Sequence, residues 1–144
     1  MFTLLKEKIN KRVLSIITIF LTCIMLFYLV YATSPSITLT NVVLCKNLDN
    51  EMSPVDVVRG ETTPTDRLIL FFDYSKANIG LTLRVVWYYN NTSIAADTLK
   101  LLKTNGNRSI ALLSTAGSYL PSGAYCVKIF LGDDELKQLS FIIS

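Results

Sequence analysis

Histidine does not occur anywhere in the 144 residues. Its absence excludes Ser-His-Asp triads, Cys-His nucleophiles and most zinc sites, because each needs an imidazole as base or ligand. Net charge is missing too once the N-terminal residues are set aside, since residues 33 to 144 hold ten Lys or Arg against ten Asp or Glu. A neutral domain offers no basic stripe to a phosphate backbone, so no nucleic-acid partner is expected. Cysteine is limited to Cys23, Cys45 and Cys126. Helical periodicity is absent beyond residue 32.

Charge is also absent from Val13 to Ala32, twenty residues in a row. At about 1.5 Å per residue such a helix spans about 30 Å, the thickness of a bilayer core. Ser15, Thr18 and Thr22 can satisfy their hydroxyls on carbonyls one turn earlier, and Tyr28 and Tyr31 sit where an aromatic belt forms. Residues 1–12 carry Lys6, Lys8, Lys11 and Arg12 against Glu7, a net +3 from four cations and one anion. The positive-inside rule then predicts a cytoplasmic N-terminus, a signal anchor at 13–32 in contact with membrane lipid, and an extracytoplasmic C-terminal part. The alternative is a cleaved signal peptide, with Val30 and Ala32 as the small-residue pair before Thr33 and a soluble secreted product. A lipoprotein site at Leu21-Thr22-Cys23 fits poorly, because Thr22 stands where a small residue is expected.

After a polar linker at 33–36, residues 37–144 suffice for one domain with one core. Ile37 to Lys46 reads as a first strand. Asn47 to Arg67 is polar and interrupted by Pro54 and Pro64, and either hides a short strand near Val55 to Val58 or is a functional loop. Leu68 to Tyr74 alternates with Leu68, Leu70, Phe72 and Tyr74 on one face. Leu81 to Tyr89 places Leu81, Leu83, Val85, Trp87 and Tyr89 inward and Arg84, Val86 and Tyr88 outward. Strands follow near Ile94 to Leu101, at Ser109 to Ser114, at Gly123 to Leu131 with Tyr125 inward, and at Glu135 to Ile143 with Phe141 inward. About seven short strands separated by turn signals, with Trp87, Tyr125 and Phe141 in the core, argue for an all-β antiparallel sandwich of immunoglobulin type.

Trp87-Tyr88-Tyr89, the run Leu120-Pro121-Ser122-Gly123-Ala124-Tyr125-Cys126-Val127 and the closing Phe141-Ile142-Ile143 resemble bacterial exported immunoglobulin-like or fibronectin type III-like modules. The resemblance covers about residues 37 to 144. It implies a β-sandwich used for display or contact, such as adhesion, and carries no catalytic residues over. Tyr125 and Cys126 are adjacent and so face opposite sides, unlike the Tyr-x-Cys of antibody domains. A Cys45–Cys126 disulfide, if formed, would therefore be a surface or edge staple, and two thiols are the alternative.

Other motifs have plain readings. Asp133, Asp134 and Glu135 could offer oxygens to calcium but read as a hairpin turn. Asn90-Asn91-Thr92, Asn91-Thr92-Ser93 and Asn107-Arg108-Ser109 fit the N-glycosylation pattern and equally fit turns. Met52-Ser53-Pro54 is a faint echo of a Ser-Lys hydrolase box with no lysine motif after it. The expectation is a non-enzymatic membrane protein without cofactor or metal. Its contact face consists of Arg84, Val86, Tyr88, Lys128, Phe130 and Ile142, with Cys126 and Ser140 among them, and binds a protein partner or a second copy of the chain.

Overall fold

A computed structural model describes residues 2–32, 36–115 and 117–144, with side chains described outside 2–12 and 29–32. It divides into two units, Met1–Pro35 and Ser36–Ser144. The linker residues 33–35 and the side chains of the basic flank and of Tyr31 lie outside the described residues.

The first unit carries helix α1, Phe2–Ala32. Every residue from 13 to 28 is exposed. Thr18 donates its hydroxyl to the Leu14 carbonyl and Thr22 to that of Ile19, both at 2.8 Å. These bonds satisfy the hydroxyls within the helix. Among the described residues no helix is long and apolar enough to cross a membrane.

The second unit is a two-layer sandwich of nine strands: β1 Thr38–Leu48, β2 Pro54–Val58, β3 Glu61–Thr62, β4 Arg67–Ser75, β5 Thr82–Tyr89, β6 Thr92–Lys100, β7 Gly106–Leu113, β8 Gly123–Leu131 and β9 Asp134–Ile143. One sheet runs β2-β1-β4-β7 and the other β3-β9-β8-β5-β6. The two-residue alternation of β4, β5 and β8 sends Leu68, Leu70 and Phe72, then Leu83, Val85 and Trp87, then Tyr125, Val127 and Ile129 into the shared core. Phe141 and Ile143 complete it from β9.

Two features depart from the simple alternation. Strand β3 holds only Glu61 and Thr62 and pairs parallel with Ile142 and Ile143, which covers the outer edge of β9. In β1 the register to β4 slips by one residue between Thr40 and Val43, with Asn41 at φ 49°. This bulge reverses the phase of the strand. Leu39 packs on the core before it, and Val42 and Leu44 pack there after it.

The reversal decides the fate of the cysteines. Cys45 opposes Ile69 and Val57 on the side of its sheet away from the core, and its thiol lies 3.7 Å from the Ile69 carbonyl. Cys126 opposes Tyr88 and Ser140 on the far side of the other sheet. Both are free thiols. The disulfide expected as one alternative is absent because the two sulfurs stand on opposite outer faces, with the whole core between them.

Candidate contact face on the five-stranded sheet

Strands β5, β8 and β9 are neighbours, so their outward residues fall into rows across the sheet. Arg84 lies beside Phe130, which opposes Glu135; Val86 lies beside Lys128, which opposes Gln138; Tyr88 lies beside Cys126, which opposes Ser140. Ala124 and Ile142 form the next pair. The structure thus brings Arg84, Val86, Tyr88, Lys128, Phe130 and Ile142 onto one face.

Cations sit over aromatic rings on this surface. The Arg84 guanidinium carbon stands 4.7 Å from the Phe130 ring centre, and Lys128 Nζ stands 6.0 Å from that of Tyr88. Lys128 also donates to Glu135 Oε2 at 2.8 Å. That hydrogen bond is the main cause of a Lys128 pKa raised above the usual lysine value. Alternation starts the last strand at Glu135, and only the pairing of β8 with β9 places that residue against Lys128.

Exposure is uneven. Val86, held in register between Ala96 and Lys128, is only 3% exposed, whereas Ile142 is 52% exposed. Tyr88, Cys126 and Phe130 are half-buried. A shallow hollow of about 570 Å³ opens among Tyr88, Cys126, Lys128, Ser140, Ile142 and Gly60. Gly60 arrives from the segment between β2 and β3, its carbonyl accepting from the Ile142 amide at 2.8 Å. The polar stretch from Asn47 to Arg67 therefore borders this face, a proximity that rests on the two-residue strand β3. Among the described residues no group of three or more His, Cys, Asp or Glu side chains could hold a metal ion. Asp133 lies in the turn after β8 and Asp134 opens β9, both exposed.

Behind the face, aromatic rings lock the strands together. Tyr89 packs on Tyr125 with ring centres 4.9 Å apart, and Tyr125 stacks on Phe141 at 5.3 Å. The Tyr125 hydroxyl donates to the Pro121 carbonyl, four residues upstream, at 2.8 Å. A tyrosine near the start of a strand that bonds back to its own approach loop is the tyrosine corner of antibody-like sandwiches.

No family profile and no curated protein matches the chain. Solved structures do. An immunoglobulin-like protein from Pseudomonas aeruginosa matches with a TM-score of 0.54 and 12% identity, over 78% of this chain and 99% of that one. The sandwich has an immunoglobulin-like fold. The Pseudomonas fluorescens alkylpurine DNA glycosylase AlkC, bound to DNA containing an abasic site analog, matches over 78% of this chain and 31% of its own at 9% identity, with a TM-score of 0.47. In the immunoglobulin-like arrangement β5, β8 and β9 form one continuous surface, with β6 beyond β5.

Proposed function

We propose that this chain is a non-enzymatic, single-pass membrane protein that presents its immunoglobulin-like module outside the cytoplasm. The module contacts a protein partner or a second copy through the β5–β8–β9 face. The observation that carries the contact reading is the gathering of Arg84, Tyr88, Lys128, Phe130 and Ile142 on one surface beside a hollow. Aromatic and arginine side chains ringed by polar residues have the composition of an interface centre and its rim. The anchor reading rests on the uncharged run from Val13 to Ala32 behind a basic flank.

Two measurements on the full chain test this. Membranes from expressing cells are extracted with alkaline carbonate and treated with protease from the outside: the chain should stay in the pellet while its C-terminal module is digested. A soluble product beginning at Thr33 would overturn the anchor and favour secretion. Separately, Tyr88→Ser with Phe130→Ser should abolish cross-linking to the partner while leaving Trp87 fluorescence native. Unchanged cross-linking would move the contact away from this face.

A further inference from the structure

The sandwich exposes four sheet edges, and three carry devices that discourage pairing with another strand. Strand β2 begins at Pro54 and has Asp56 in the left-handed region at φ 56°. Strand β3 is two residues long. Strand β6 is bulged against Trp87 and Tyr88 and carries Asp97 and Lys100. Prolines, bulges, charges and shortness are the usual protections of an edge.

Strand β7 has one charge and no other of these devices. It pairs with β4 over eight unbroken positions, from Arg67↔Leu113 to Tyr74↔Gly106. It contains no proline, and its one charge, Arg108, stands 5.9 Å from the Tyr74 ring centre and donates from Nη1 to the Asn107 carbonyl at 2.9 Å. From Ser109 to Leu120 the sequence has neither charge nor proline.

The orientation of its backbone follows from the ladder. The Ser114 amide donates to the Asp66 carbonyl at 2.8 Å, continuing the β4–β7 register. Because antiparallel pairs alternate, the N–H and C=O groups of Asn107, Ser109, Ala111 and Leu113 then point to the open edge. Among the described residues no backbone group of another segment reaches them, while the Asn107 carbonyl accepts from Nη1 of the neighbouring Arg108 at 2.9 Å.

We infer that β7 is a self-pairing edge: two copies of this chain join β7 to β7 antiparallel, about a two-fold axis at Ile110, into one continuous sheet. In that register Ser109 opposes Ala111 and Asn107 opposes Leu113, so all four outward-pointing positions meet outward-pointing positions, with about eight backbone hydrogen bonds once Arg108 releases the Asn107 carbonyl. Arg108 opposes Leu112 and Ile110 opposes its own copy, so no like charges face each other. A second copy is the occupant because β7 is itself the proline-free strand that this edge fits: in the two-fold register small Ser109 meets small Ala111 and no charge stands opposite a charge. The surface lies on the opposite sheet from the β5–β8–β9 face, and the two readings fail independently.

The test uses the full chain in detergent micelles, with Cys23→Ser and Cys126→Ser as background. Chains bearing Ser109→Cys mixed with chains bearing Ala111→Cys should form a disulfide-linked dimer several-fold more readily than either alone. Ala111→Lys, which adds a charge at an exposed position, should keep native Trp87 fluorescence and lose the dimer in sedimentation. Equal cross-linking in mixed and single samples, or a dimer that survives Ala111→Lys, would overturn the self-pairing.

Discussion

The ring of Tyr89 occupies the place that a side chain on Gly123 would need: a Cβ there would stand 2.6 Å from Tyr89 Cε2. The ring cannot swing aside freely, because its hydroxyl donates to the Ser122 carbonyl at 2.9 Å and the ring packs on Tyr125. Gly123 also has φ +151°, where L side chains are strained. Gly123→Ala should therefore cost about 2–4 kcal/mol, from backbone strain and overpacking together. Adding Tyr89→Ala should return about 1 kcal/mol of that in a double-mutant cycle read by chemical denaturation. Additive losses would mean the clash is relieved elsewhere.

Opposite sides of β5 should respond differently to truncation. Trp87 is fully buried, and Trp87→Ala should cost about 3–5 kcal/mol. Arg84 is exposed, with its guanidinium over the Phe130 ring, so Arg84→Ala should cost about 0.5–1 kcal/mol. The indole Nε1 of Trp87 has no hydrogen-bond partner among the described residues, so Trp87→Phe should be far milder than Trp87→Ala. Circular dichroism melts of the three variants, ranked in that order, check the face assignment.

Tyr125 predicts an alkaline limb. Burial, then the nearby Tyr89, raise its phenol above the ordinary value near 10. With the folded value raised, the neutral phenol's contribution is full below about pH 10 and is lost as pH climbs through the folded value. Lys128, raised mainly by its hydrogen bond to Glu135, acts in the same direction. Tyr125→Phe should lose about 0.5–1.5 kcal/mol at neutral pH with the Pro121 bond. Its stability should then fall less steeply than the parent's above pH 10, in urea titrations at a series of pH values. Parallel curves would remove Tyr125 as the source.

The thiols should be kinetically distinct. Cys45 is fully buried and burial raises its pKa, so its thiolate is scarce as well as shielded. Cys126 is half-buried on the outer face. Brief iodoacetamide treatment followed by peptide mass mapping should find Cys126 modified and Cys45 intact, with both modified in urea. Dithiothreitol should leave the melting temperature unchanged; a drop would reveal a bridge.

Much of the sandwich was legible because alternation is a local signal. Gly123 to Leu131 could be bounded from its flanking turns, and the inward sets of β4, β5 and β8 followed from parity alone. Cys45 could not be placed, because the slip at Asn41 depends on which strand β1 pairs with, and a one-residue slip exchanges faces. Strand β3 was invisible for a different reason: two residues show no period. The contact residues Arg84, Tyr88 and Phe130 were readable by parity, whereas the Lys128–Glu135 pair and the approach of Gly60 needed the tertiary pairing of distant segments.

The parallel pairing of β3 with β9 also sets an order of events in time. Glu61 and Ile142 are 142 − 61 = 81 positions apart, and the strand that joins them has two paired residues, with backbone bonds from Ile142 to Gly60 and from Ser144 to Thr62. Closing a loop of that length costs more conformational entropy than so short a seam returns, so it cannot nucleate the fold. It zips only after β5, β8 and β9 have already brought its ends together. Until then the outer edge of β9 is uncovered, so the interval before the seam closes is when a newly made chain is most open to pairing with a stranger.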